Sequence, residues 1–254
     1  MAEQKKAPTE EVEAVPAVLE IEAAVEEKAA PRVFTAAERV LDAWQPKSET
    51  GRKVKSGEIT DIDQILDKGA KIREAQIVDK LLPGMQTNYV MIGQAHGKFG
   101  GGKRRIIRQT QQKTAEGNKP MFAAMAVVGD ERNHVGVGIG RAKESIPAKE
   151  KALRQAKLNL MSVTMGCGSW KCGCGTKHSL PFEVYGKSGS VEVKLMPAPK
   201  CTGLAVDDEL KKILRAAGYK DIWSKTWGQT RKKINFIHAT VNALRKASQM
   251  KVTR

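Results

Sequence analysis

Between Ala126 and Lys143 the chain reads AVVGDERNHVGVGIGRAK, with glycine at every second position of one stretch: Gly136, Gly138 and Gly140. An apolar run, Met121–Val128, meets a turn at Gly129-Asp130 and returns through this glycine stretch. The segment predicts a hairpin whose second strand has no side chains on one face, so another backbone can approach it closely. Arg141 and Lys143 stand at its exit, and Pro147 opens a helix. Close approach beside positive charge suits a bulky polyanion better than a small metabolite.

Charge points the same way. The 254 residues carry a formal net charge of +16, but residues 1–30 hold eight Glu and only three Lys. The rest of the chain therefore carries an excess of twenty-one positive charges. A folded body so charged repels itself unless it meets an anion, and nucleic acid is the commonest such partner. Aromatic residues make up only 5%. That argues against a surface built on base stacking and fits recognition of backbone and shape. The longest apolar run, Met121–Val128, has eight residues, too short to span a bilayer, and no signal sequence opens the chain. These features predict a cytoplasmic protein with no membrane partner, whose cysteines are reduced or metal-bound.

Residues 1–30 read as a disordered acidic tail and residues 31–74 as an extended arm and helix, with helical spacing over Asp61–Lys80. Thr87–Ala95 and Arg104–Gln112 read as strands, KFGGGKRR (Lys98–Arg105) as a basic glycine loop, and Lys113–Pro120 as a turn. The hairpin and a helix over Pro147–Met161 complete one α+β unit, 75–162. A second α+β unit, 163–254, holds a Cys-rich loop, strands at Pro181–Tyr185 and Ser190–Met196, and helices at Asp207–Ala217 and Ile234–Ser248.

Three cysteines and a histidine crowd that loop: Cys167, Cys172, Cys174 and His178. Three thiolates and an imidazole are the donor set of a closed structural zinc site, though a Cys-x-Cys pair chelates with strain. Reduced cysteines in a small-residue loop are the alternative. Catalytic patterns are absent. The dinucleotide fingerprint needs a third glycine where Arg141 stands, and no phosphate loop ends in Gly-Lys-Ser/Thr. No Gly-x-Ser-x-Gly elbow occurs, and the four histidines are scattered. The sequence predicts no enzyme and no small-molecule substrate. Basic residues gather at Lys98, Lys103, Arg104 and Arg105, at Lys149–Lys157, and at Arg231, Lys232 and Lys233. Together they predict an RNA-facing surface. A free double-stranded-RNA-binding regulator remains a second reading.

VVGDERNHVGVGIGRAKE, AKEKALRQAKLNL and HSLPFEVYGKSGSVEVKLMPAPKCTGLAV resemble small-subunit ribosomal protein five. GCGSWKCGCG, DIDQILDKGAKIREAQIVDKLLPG and AAGYKDIWSKTWGQTRKKINFIHATVNAL resemble its archaeal form, so the likeness runs from Gly57 to Leu244. The resemblance implies a double-stranded-RNA-binding-like N-terminal domain, then a second α+β domain with a left-handed βαβ unit. It implies small-subunit ribosomal RNA as ligand, small-subunit proteins four and eight as neighbours, messenger RNA nearby, and an influence on decoding accuracy. RNA contacts are expected from a basic turn with Lys113 and Lys119, from Arg132, and from the strand end Gly138, Gly140, Arg141, Lys143, with Lys149 beyond. Pro199, Lys200, Thr202, Gly203 and Leu204 match the family's loop facing protein four, with Cys201 where glycine is usual.

Overall fold

The computed structural model describes residues 43–95 and 104–250, with Leu41. The acidic segment 1–30 and the cations Lys98 and Lys103 lie outside the described residues.

The first described segment is packed rather than extended. Helix α1 (Glu49–Ser56) is capped by Ser48, whose side chain accepts from the Gly51 N–H. Where periodicity predicts one helix over Asp61–Lys80, two short ones form, α2 (Asp63–Asp67) and α3 (Ala75–Leu81). Gly69 adopts φ +66° and ends α2. The intervening chain is held by Glu74, whose carboxylate accepts from Trp44 Nε1 (2.8 Å) and from the Ser48 N–H and hydroxyl (both 2.7 Å). Trp44, Val54, Ile65, Ile77 and Val78 are buried together with Leu160.

The next sheet is antiparallel throughout: β1 (Gln86–Tyr89), β3 (Gly117–Gly129), β4 (His134–Ala142) and β5 (Leu160–Ser162) lie side by side, and β2 (Arg108–Thr114) also pairs with β3. β2 meets the outer half of β3, from Gly117 to Ala123, and β1 the inner half, from Ala126 to Gly129. The predicted turn over Lys113–Pro120 is therefore mostly strand. Thr114 faces Gly117 across the tip, leaving Ala115 and Glu116 to make the turn. The ribbon is exposed along all of β2.

Helix α4 (Ser145–Leu158) lies across β4, and here the glycine alternation finds its cause. A Cβ on Gly136 would stand 2.2 Å from the Ala156 carbonyl oxygen, on Gly138 2.2 Å from the Ala156 nitrogen, and on Gly140 2.2 Å from the Ala148 carbonyl oxygen. The backbone that approaches the glycine face is the protein's own helix. Gly138 and Gly140 are buried beneath it.

The second sheet has the order β6 (Val184–Ser188), β7 (Val191–Pro197), β9 (Ile222–Trp227), β8 (Leu204–Ala205). Its pairs are antiparallel except β8 with β9, which run parallel with α5 (Asp208–Ala216) between them in sequence. β6 starts later than predicted, at Val184, and ahead of it Ser179 and Leu180 bond to Gly166 and Gly168 of the Cys loop. α6 (Lys233–Gln249) covers one face. The sheets are not separated at residue 162. One apolar cluster runs from Val90 and Val127 to Leu195 and Leu244, and α5 seats its Ala216 carbonyl against Gly129 and the Glu131 N–H (3.0 Å).

A polar staple ties the β3–β4 turn to α2. His134, 7% exposed, places Nδ1 2.6 Å from Asp130 Oδ2 and Nε2 2.8 Å from Asp63 Oδ1. Burial pulls the His134 pKa down, but the two carboxylates outweigh it and leave the pKa above the usual imidazole range. Burial likewise opposes ionisation of Asp130. Bonds from the His134 ring and from the N–H groups of His134 and Arg132 overcome it and hold this carboxyl well below the usual carboxylate range.

Candidate nucleic-acid interface and metal centre

Three basic segments remote in sequence meet on one side of the first sheet. Arg104 pairs with Ala95 in an isolated bridge and extends its guanidinium to donate to the Arg231 carbonyl oxygen (2.8 Å). Arg104, Arg105 and Lys149 line a cavity of about 650 Å³ whose walls include Met91, Phe122 and Gln109. The Lys149 ammonium lies 5.8 Å from the centre of the Tyr89 ring. Cations over an aromatic and apolar floor hold an anion's charge while its less polar parts pack below.

The other predicted contacts lie at both ends of the β3–β4 hairpin and on the ribbon. Arg141 and Lys143 are exposed where β4 ends, Arg132 is exposed in the β3–β4 turn, and Lys113 and Lys119 ride near the ribbon tip. Arg231 and Lys232 are exposed at the entrance of α6. The Lys233 ammonium meets both Asp207 oxygens (2.8 and 2.7 Å), and Asp207 Oδ2 also accepts from the Glu209 N–H to cap α5.

The Cys loop closes on itself. One donor atom from each of Cys167, Cys172, Cys174 and His178 lies within 4.8 Å of the other three. Cys167 Sγ and Cys174 Sγ are 3.6 Å apart, as are Cys172 Sγ and His178 Nε2. Tetrahedral zinc with sulfur and nitrogen ligands sets its donors roughly 3.5–3.8 Å apart. The Thr176 hydroxyl donates to Cys174 Sγ (3.2 Å) and helps lower that thiol to about 6. Burial and the neighbouring sulfurs push Cys167 up to about 11. Four donors this crowded repel as they ionise, and a cation among them removes the conflict. The cluster is therefore able to bind a metal ion.

Sequence reasoning missed the residue behind the cluster. Asp221 Oδ2 lies 2.8 Å from His178 Nδ1, and both side chains are about 95% buried, with exposures of 5% and 4%. A carboxylate behind the second ring nitrogen fixes which nitrogen faces a metal. Asp221 Oδ1 also accepts from the Gly203 N–H (2.8 Å). Asp221 thus joins the cluster to the Pro199–Leu204 loop, a turn in which Thr202 Oγ1 donates to the Pro199 carbonyl (2.7 Å) and Cys201 and Gly203 take φ +69° and +72°. Lys200 and Thr202 are exposed on it. No sequence signal marks Asp221, which sits 43 residues from His178 at the start of β9.

The fold and these surfaces describe a basic, mixed α/β scaffold. Two family models match it: the N-terminal domain of ribosomal protein S5 over residues 106–164 and the C-terminal domain of ribosomal protein S5 over residues 186–253. The chain is 49% identical to the small ribosomal subunit protein uS5 of Nanoarchaeum equitans over 212 residues, 84% of this chain and 91% of that protein. It is 46% identical to that of Pyrobaculum aerophilum over 212 residues (84% and 90%). For Methanocaldococcus jannaschii the figures are 45% over 205 residues (81% and 88%). The chain belongs to the archaeal S5 family of small-subunit ribosomal proteins.

Proposed function

We propose that this chain is a cytoplasmic structural constituent of the small ribosomal subunit and holds small-subunit ribosomal RNA in place. The observation that carries this reading is the cleft lined by Arg104, Arg105 and Lys149, to which Arg104 ties the backbone of the basic segment at Arg231. Lys and Arg there neutralise phosphates, so binding weakens as salt rises. The polar ribbon β2–β3, with Lys113 and Lys119, reaches beyond the body to a second RNA segment. In this reading residues 75–162 form a double-stranded-RNA-binding-like domain, and β8–α5–β9 is the left-handed βαβ unit of a second domain, 163–254. The Pro199–Leu204 loop faces small-subunit protein four, protein eight is a further neighbour, and the messenger path lies close by, where the protein supports assembly and decoding accuracy.

The metal in this reading is zinc, held by Cys167, Cys172, Cys174 and His178 and oriented from behind by Asp221. Its role is structural: it staples the Cys loop to the loop at Pro199–Leu204, so metal affinity becomes folding energy.

Sedimentation of a cell lysate, with the chain tracked by mass spectrometry, tests the assignment. Near-stoichiometric travel with small subunits, reduced in an Arg104→Ala/Lys149→Ala variant, is expected. A chain that stays at the top of the gradient instead favours the free RNA-binding regulator. Elemental analysis should find one zinc per chain and none in Cys172→Ser. An unchanged melting curve and no zinc in the parent would remove the metal.

A further inference from the structure

The second sheet is covered on one face only. Val184, Val191, Val193, Leu195 and Ile222 point toward α6 and are buried. Alternation sends the intervening residues to the other side, where Trp223, Lys225 and Trp227 follow one another along β9. Lys194 stands opposite Lys225, and Tyr185 opposite Lys194, so aromatic rings and ammonium groups alternate along β9 and a third ring lies across the sheet from them. Trp223, Trp227 and Tyr185 are 36%, 47% and 54% exposed.

The Cys/His loop adds a wall to this face. Trp170, on its tip, is wholly exposed, and with Phe182, Pro197 and Trp223 it borders a cavity of about 530 Å³. The acids of this face are already matched, Glu183 by Lys194 and Glu192 by Lys187. Lys225 and Lys171 take part in none of the ion pairs among the described residues and leave the face positive. Composition pointed away from a stacking surface. Yet the fold sets three of the chain's four tryptophans on this side, so a small total becomes a high local density.

We propose that this face is a platform for an unpaired stretch of RNA. Bases stack on Trp223, Trp227 and Trp170, while Lys225 and Lys171 meet the phosphates between them. Aromatic rings interleaved with cations on an open sheet are a general means of holding single strands without reading their sequence. A protein-docking patch would instead exclude charge from its centre, and here Lys225 lies between the two tryptophans. The platform is separate from the Arg104–Lys149 cleft and does not depend on the ribosomal assignment.

The test is the anisotropy of a fluorescein-labelled twelve-uridine RNA titrated with the full-length chain. The parent should bind saturably and with quenching of tryptophan emission. Trp223→Ala and Trp227→Ala should each weaken binding roughly 5- to 100-fold. The Trp→Phe variants should stay within roughly threefold of the parent, because a ring still stacks. Lys225→Ala should reduce the slope of log affinity against log salt by about 0.7. A twenty-base-pair RNA duplex should be bound equally by parent and platform variants, and less well by Arg104→Ala/Lys149→Ala. Because the substituted side chains are exposed, thermal unfolding followed by circular dichroism should match the parent. No saturable binding by the parent would overturn the proposal, and so would Trp→Ala variants that bind the oligonucleotide as the parent does. If those variants also lost a protein neighbour from purified subunits, the face would be a protein contact. Failure to sediment with small subunits would overturn the ribosomal reading alone.

Discussion

Each sheet is covered by one helix, and the two contacts are built in opposite ways. Under α4 the strand contributes Gly136, Gly138 and Gly140, and the helix answers with Ala148, Ala152 and Ala156, so backbone lies on backbone. Under α6 the sheet contributes Val184, Val191, Val193 and Leu195, and the helix answers with Phe236, Ile237, Val241 and Leu244. Only Gly186 lets the second helix come as near, with the Ala239 carbonyl 1.9 Å from where its Cβ would be. The first contact is limited by shape and has little apolar volume to lose. The second is limited by volume and has little room to spare only at one residue. Added atoms should therefore break the first contact, and removed atoms the second.

The sharpest break is Gly138→Val. Its Cβ would press on the Ala156 nitrogen and the Ala152 carbonyl, both rigid backbone. We expect destabilisation of about 3 kcal/mol or more by urea unfolding. Leu195→Ala, on the volume-limited side, should cost about 2–3 kcal/mol by the same measurement, from lost transfer energy and a cavity. If both sheets responded alike to added methyl groups, the contrast would be gone. The polar staple is a third kind of contact, and His134→Gln should cost about 1–2 kcal/mol. Its pH dependence follows from the raised pKa of His134. The staple's stabilisation is complete below about pH 6.5, the unfolded value, and is lost as pH rises through the folded value. The gap between parent and His134→Gln should therefore be wider at pH 6 than at pH 9. A constant gap would mean that the imidazole acts by packing alone. Least of all, Trp227→Ala on the uncovered face should alter stability by no more than about 0.5 kcal/mol.

What the sequence shows of this fold depends on whether an element carries its own contrast of faces. α5 and α6 are legible because their apolar stripes face a core, and Asp207 and Gly218 bracket the first of them. The β3–β4 hairpin is legible from its apolar run and turn. β2, RQTQQKT, is exposed on both sides and so has no alternation to read. β9 has one buried residue, Ile222, and hides its role in the same way. The break between α2 and α3 is fixed by Glu74 reaching Trp44 and Ser48, a long-range set of bonds that no local pattern records. For the sites, the donor types of the Cys/His cluster are visible in sequence because they are chemically rare and close together. Asp221 is a common residue brought in by topology. The glycine strand is legible as a surface of close approach, but glycine spacing does not say which backbone will arrive, and here it is that of α4.

β3 runs without interruption from the exposed ribbon at Gly117 into the buried centre of the first sheet at Val128. Thirteen extended residues span about 40 Å. Such a strand behaves as a cantilever: it is clamped at its inner half between β1, β4 and α4, and loaded at its free end. No hinge separates the two halves, so a push on the tip arrives at the clamp as torque, and the ribbon's aim is set by the core from which it grows.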